Sequence, residues 1–237
     1  MPEEEKEQRC AYCGSSRALE EDHVIARQFF PSEQRFRGGL PKVPCCGNCN
    51  RAKQKVEDAP AVFFQFGHAS EASTRVLKDR VFRTLDKNER LARSLRDGLQ
   101  KVWIRQSTGL VVPRLAIKLS DRELQDANHW SRFITKGLYY FETHSVLPDI
   151  HEIYLLKPAD EVQFFFLRDL ILRDRNHQVR SLADGEFQYV FVVNLTDQLS
   201  MWLYAFKSIE VCAVTVGPEC PADLKDALRQ MEWTEPS

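Results

Sequence analysis

Long apolar runs are missing from this sequence. The longest stretches, such as Tyr189 to Val193 and Met201 to Phe206, fall far short of the roughly 20 residues that a membrane-spanning helix needs. No transmembrane segment is therefore expected. The opening residues, Met-Pro-Glu-Glu-Glu-Lys-Glu-Gln, lack the basic start and apolar stretch of a secretion signal, so a cytoplasmic location is expected. Internal repeats and low-complexity tracts are absent as well. Net charge is nearly absent, at −1, yet the average conceals an uneven distribution. Residues 9–106 carry 19 Lys/Arg against 11 Asp/Glu, whereas residues 107–237 carry 13 against 19. A basic first half beside an acidic second half fits a polyanion meeting the first half, and fits ordinary solvated helix surface equally well.

What is present is the composition of a soluble globular chain, 43% hydrophobic and 28% charged over 237 residues. That length accommodates one full domain and a smaller accessory one. Residues 1–8 read as a disordered tail. Residues 9–60 are rich in Cys, Gly, Pro and Arg and show little periodic apolar pattern, so this segment needs a metal to fold. Between residues 61 and 100, Leu77, Val81, Leu85, Leu91, Leu95 and Leu99 recur at helical spacing among Arg75, Lys78, Arg83, Lys87, Arg90, Arg93 and Arg96, which predicts a basic amphipathic helical linker.

From residue 101 to 237 an α+β accessory domain is predicted. A hairpin pairs Lys101–Gln106 with Leu110–Leu119, and a helix capped by Ser120 or Asp121 runs to Tyr140. A strand at Glu152–Leu156 and a helix from Ala159 to about Arg173 follow. Apolar strands at Phe187–Leu195, Met201–Phe206 and Val211–Val216 would form an antiparallel meander, with a last helix at Ala222–Met231 over one face.

Seven cysteines in a reducing compartment read as metal ligands before disulfides. Cys10-Ala11-Tyr12-Cys13-Gly14 has the form of a zinc knuckle, and its partner is Cys46-Gly47-Asn48-Cys49. Cys45 could replace Cys46 in register, but Cys46 has the C-x-x-C spacing to Cys49. Cys212 and Cys220 read as a core and a loop residue. Thirty-two residues separate the two pairs, more than a simple zinc ribbon uses. The insert holds Glu21-Asp22-His23-Val24-Ile25, and Asn50-Arg51-Ala52-Lys53 follows the last cysteine.

C-x-x-C, then Asp22-His23-Val24-Ile25, then C-x-x-C-N-x-x-K resembles the HNH endonuclease family with its ββα-metal motif, over about a fifth of the chain. The resemblance implies a first knuckle, a strand carrying Asp-His, a loop, and a helix beginning at the second knuckle. It implies His23 as general base, Asp22 and Asn50 as ligands of a catalytic metal, and Lys53 at the family's basic helix position. Stand-alone proteins of this kind resemble restriction or anti-phage effectors.

The residue chemistry agrees with those roles. Phosphodiester hydrolysis needs a base to activate water and positive charge to meet the phosphate. His23 titrates near neutrality, and the oxygens of Asp22 and Asn50 suit Mg²⁺ or Mn²⁺. Arg51, Lys53 and Lys55, at the start of the second-knuckle helix, would contact backbone phosphates. Successive side chains of a strand alternate in direction, so Asp22 and His23 can share one site only at a strand end or bulge. The family's middle Asn is missing, since its place falls at or near Pro41. Carbonyls of Gly38-Gly39-Leu40-Pro41 would have to replace it.

The sequence thus predicts an α+β protein: an N-terminal zinc-bound ββα-metal (HNH) module, a helical linker and a C-terminal α+β domain with an antiparallel sheet. The expected activity is metal-dependent hydrolysis of DNA, with structural Zn²⁺ on Cys10, Cys13, Cys46 and Cys49 and catalytic Mg²⁺ or Mn²⁺ on Asp22 and Asn50. Alternatives are a catalytically weak zinc-dependent nucleic-acid-binding or interaction protein, and an RNA-cleaving enzyme. A homodimer through the C-terminal strands and a protein partner from the same operon are further expectations. His68, His129, His144, His151 and His177 have no partner at ligand spacing and receive no role.

Overall fold

The computed structural model describes residues 8–17, 19–30, 39–65, 76, 80–105, 108–156, 161–196, 198–206 and 209–232. The chain opens with a two-stranded antiparallel hairpin, β1 (Leu19–His23) and β2 (Lys42–Cys46), and passes without a loop into helix α1 (Gly47–Phe63). Among the described residues, two short helices come next, α2 (Phe82–Lys87) and α3 (Glu89–Asp97), and then a separate antiparallel ribbon of β3 (Leu99–Arg105) and β4 (Val111–Ile117). The rest comprises the long helix α4 (Asp121–Thr143), β5 (Glu152–Leu156), α5 (Glu161–Arg173), β6 (Gln178–Leu182), β7 (Phe187–Asn194), β8 (Leu199–Phe206), β9 (Ile209–Val216) and α6 (Ala222–Met231). The last five strands form one sheet in the order β5-β9-β8-β7-β6, every neighbouring pair antiparallel. The protein is therefore mixed α+β with antiparallel sheets, and no helix among the described residues is long and apolar enough to cross a membrane.

The expected meander of β7, β8 and β9 is present, and its alternation explains why both faces are covered. Phe187, Tyr189, Phe191, Trp202, Tyr204 and Phe206 point to one face, where Trp130, Ile134 and Leu138 of α4 meet them. Tyr154, Leu203, Cys212 and Val214 point to the other, beneath Leu167 and Ile171 of α5 and Leu228 of α6. Ser120 caps α4 in a capping box with Glu123, and His144, in the left-handed region, ends the helix three residues later than predicted. Strand β6 was not foreseen: Gln178-Val179-Arg180-Ser181-Leu182 is largely exposed and lies at the sheet edge.

The linker departs from one continuous helix. Asn88 breaks it, because its side chain accepts a hydrogen bond from the Leu91 N–H and caps α3 instead of continuing α2. Leu99, assigned to the helical stripe, begins β3 and is exposed. Arg75, Leu77 and Lys78 lie outside the described residues, as does the acidic tail apart from Gln8.

The N-terminal hairpin and helix share a core with the C-terminal sheet. Phe29 and Phe30, in a 3-10 turn just after β1, are fully buried. Phe29 stacks on Trp130 of α4 with ring centroids 5.1 Å apart, and both Phe29 and Phe30 meet Phe206 of β8 at 5.4 Å. Phe64, at the end of α1, packs on the same Trp130 and Phe206. Aromatic pairs of this kind add about 0.5–1.5 kcal/mol each beyond the area they bury. The N-terminal unit thus shares one core with α4 and the five-stranded sheet.

Gly137 of α4 allows the closest approach. A Cβ at that position would stand 2.8 Å from Val24 Cγ1, inside van der Waals contact, and Val24 directly follows β1. Gly137→Ala gains about 1 kcal/mol of helix propensity, but overpacking in a full core costs about 1–3 kcal/mol. Urea unfolding should show a net loss on the order of 1 kcal/mol, restored in part by adding Val24→Ala. A stabilised single variant would contradict this packing.

Candidate metal centre and the buried polar cluster beside it

Cys10 and Cys13 lie in a tight turn. The Gly14 N–H donates to the Cys10 carbonyl and the Cys10 N–H to the Ser15 carbonyl, both at 2.8 Å. Gly14 takes φ +70°, a conformation that glycine adopts without cost. The Ala11 N–H donates to the Pro44 carbonyl at 2.8 Å, which ties the turn to β2. Strand β2 delivers Cys46 as the extended N-cap residue of α1, and Cys49 follows in the first turn.

The Sγ atoms of Cys10, Cys13, Cys46 and Cys49 all lie within 4.8 Å of one another, and Cys13 and Cys46 are 3.7 Å apart. Four thiolates about 2.3 Å from one zinc sit about 3.8 Å from each other. The donor set therefore fits a structural zinc ion. The Cys46 thiol is pulled down to about 7, first by the backbone N–H of Cys49, which favours the thiolate that a metal requires. Burial pushes the Cys49 thiol up. Cys45 is not one of the four: it is buried beside them, its thiol donating to the Cys46 carbonyl at 3.3 Å.

Beside the cysteines lies a polar cluster that spacing alone did not reveal. Lys53 is 1% exposed. Its Nζ donates to Asp22 Oδ2 at 2.8 Å and to the His23 carbonyl at 2.5 Å. Glu57, one helical turn on, faces the same ammonium at 3.2 Å, and burial pushes its carboxyl up. The Tyr12 hydroxyl donates to Asp22 Oδ2 at 2.7 Å. Residues from the knuckle, β1 and α1 thus converge on one buried ammonium. Burying a Lys costs several kcal/mol unless partners of this kind surround it.

This corrects the expectation that Lys53 reaches DNA phosphates, because its charge is spent inside the protein. Arg51 and Lys55 are exposed, Arg51 donating to Asn48 Oδ1 at 2.7 Å. Asn50 lies on the Lys53 face of α1, one turn earlier, and its Oδ1 accepts from Gln54 at 2.9 Å. His23 is the last residue of an unbroken β1–β2 register, opposite Lys42, with no bulge. The Asp22 carboxylate turns to α1 and Tyr12, whereas the His23 ring accepts from Arg27 Nε at 3.1 Å. Burial, then Arg27 and Lys42, hold the imidazole below its ordinary value. Where the middle Asn was missed, the Pro41 carbonyl accepts from the Val24 N–H at 2.9 Å and fixes the chain just beyond His23. Gly38 lies outside the described residues.

The histidines left without a role are scattered. His129 and His151 line a cavity of about 600 Å³ that also touches Tyr12 and Cys49. His177 contacts the Asp174 carbonyl, His144 ends α4, and His68 lies outside the described residues. Tyr12, Arg27 and Glu57 are the site residues that the sequence reading missed. The Lys53–Glu57 spacing of four on a helix was the legible signal; Tyr12 and Arg27 offered none.

No protein-family model, no curated protein and no solved structure matches this chain.

Removing Lys53 leaves two carboxylates facing each other without a counter-charge. Lys53→Ala should lower unfolding stability by about 3–5 kcal/mol, measured by urea denaturation. The double variant Lys53→Met with Glu57→Gln should recover a large part of that loss. A Lys53→Ala protein as stable as the parent would show that the ammonium holds nothing together.

Proposed function

We propose that this chain is an HNH-type endonuclease that hydrolyses DNA phosphodiester bonds, with His23 as the general base. One observation carries the reading: a four-cysteine cluster closes the β1–β2 hairpin onto the start of α1, and Lys53 of α1 bonds both Asp22 and the His23 backbone. The order of knuckle, Asp-His strand, second knuckle and helix is that of the ββα motif that the sequence resembles.

The chemistry assigned to the chain's residues is direct. The His23 imidazole, held below its usual value by burial and by Arg27 and Lys42, is neutral at pH 7, and it can take a proton from an attacking water once Arg27 Nε swings off Nε2, to which it donates at 3.1 Å. Arg27 and Lys42 are exposed beside it and would meet the phosphate charge that builds up in the transition state. Arg51 and Lys55 would hold the neighbouring phosphates. Zinc, when bound by the four cysteines, supplies the cross-link that keeps the hairpin on the helix. A catalytic Mg²⁺ or Mn²⁺ on Asp22 and Asn50 does not fit the side chains as they stand. The Lys53 ammonium already takes Asp22 Oδ2, and Gln54 takes the Asn50 oxygen. A homodimer would place one site on each strand of a duplex, and a restriction or anti-phage role would suit such an enzyme.

That same occupation of Asp22 favours a second reading, a zinc-stapled nucleic-acid-binding protein that does not cut. Supercoiled plasmid incubated with the purified protein in Mg²⁺, in Mn²⁺ and in EDTA separates the two. Nuclease activity predicts nicked product that falls by at least about 100-fold in His23→Ala, the lower bound for loss of a general base, with unchanged folding. Equal nicking by both proteins, or none under any condition, sinks the nuclease reading. Nicking that persists in EDTA at the same rate would dispense with the catalytic cation altogether.

A further inference from the structure

The β3–β4 ribbon stands apart from everything the proposed site uses. Among the described residues it is a sheet of two strands, each of seven residues and so about 24 Å long. Both faces are largely open to solvent. Trp103 is 64% and Leu115 74% exposed, whereas Trp130 and Trp202 are fully buried in the main core. An isolated ribbon of this kind is marginal by itself. Its root is what anchors it: Ile117 and Leu119 pack against Ala59 and Val62 of α1 and Leu91 and Leu95 of α3.

Charge decides what such a surface meets. Residues 98–120 hold Lys101, Arg105, Arg114 and Lys118 and no Asp or Glu, and all four cations are exposed. The register places Lys101 opposite Leu115, Trp103 opposite Pro113 and Arg105 opposite Val111. One face therefore combines two cations with the indole, and the Lys101 ammonium lies 5.0 Å from the Trp103 ring. A second copy of the same ribbon would bring cations against cations with no acid to offset them, which costs association. A polyanion reverses that sign. We infer that the β3–β4 ribbon is a DNA-binding arm that enters a groove of duplex DNA, with Lys101, Arg105 and Arg114 meeting phosphates and Trp103 meeting the groove.

The dimensions agree. The major groove of B-form DNA, about 12 Å wide, admits a two-stranded ribbon, whereas the deep, narrow major groove of duplex RNA does not. The ribbon's root contacts α1 at Val62, twelve residues beyond Asn50, which is about 18 Å along a helix. That distance spans roughly five base pairs at about 3.4 Å each, so one duplex can reach both the ribbon and the His23 corner.

The inference rests on the reading of this chain as acting on DNA, but binding and cutting separate in the test. Fluorescence anisotropy of the full-length, zinc-loaded protein with a labelled 30-base-pair DNA is compared for wild type, Lys101→Glu/Arg105→Glu, Trp103→Ala and His23→Ala. Thermal melting is followed for each. The double variant should bind at least about 10-fold more weakly, with a log–log salt dependence shallower by about 2 for two lost phosphate contacts. Trp103→Ala should weaken binding several-fold and duplex RNA should compete poorly, while His23→Ala binds as wild type. Ribbon variants that melt and bind like wild type overturn the proposal, as does a wild-type protein without affinity for the duplex. Unchanged DNA affinity with a dimer lost in the double variant by sedimentation would assign the ribbon to a second copy and equally overturn it. Wild type that binds through the ribbon without nicking plasmid leaves the arm standing and removes the nuclease.

Discussion

Cys10 and Cys13 can meet Cys46 and Cys49 only if the 32 residues between the pairs fold back on themselves. That constraint organises the rest of the N-terminal unit. It sets β1 beside β2, because β2 must end where the first knuckle turn lies, and it starts α1 at Gly47 with no room for a loop. It also points α1 across β1, so that Lys53, one turn beyond Cys49, falls on Asp22 and the His23 carbonyl. Without the closure, two carboxylates and an ammonium would have no reason to leave water.

A unit of this size cannot bury enough surface to be stable alone, and the structure answers with two devices. The four clustered cysteines, a donor set that fits a zinc ion, lie at its outer end. At its inner end Phe29, Phe30 and Phe64 insert into the core that α4 and the five-stranded sheet provide, and Gly137 lets α4 approach Val24 closely. The residues around His23 are therefore fixed from both sides. Disturbance of the sheet should be felt at the candidate site, which a freely tethered module would not feel.

The parts of this arrangement that were legible in the sequence are those written in local patterns. Paired cysteines at matched spacing mark the cluster, alternating apolar residues mark β7 to β9, and Ser120 with Glu123 marks the start of α4. What escaped depends on three-dimensional partners. Lys53 has the sequence context of a surface cation, and nothing local says that it turns inward to Asp22. Asn88 sits inside a continuous leucine stripe, where periodicity outvoted a capping side chain. Strand β6 has weak alternation because it lies at an exposed edge. Asp22 and His23 follow one another at a strand end as anticipated, yet each side chain finds a different partner, Lys53 for one and Arg27 for the other.

Metal content tests the account at its root. Elemental mass spectrometry of the purified wild-type chain should find one zinc per molecule. Cys49→Ser should lose both the zinc and the cooperative melting transition, whereas Cys45→Ser, altering a thiol outside the cluster, should keep both. A folded wild-type protein without metal, or zinc retained in Cys49→Ser and lost in Cys45→Ser, would contradict it.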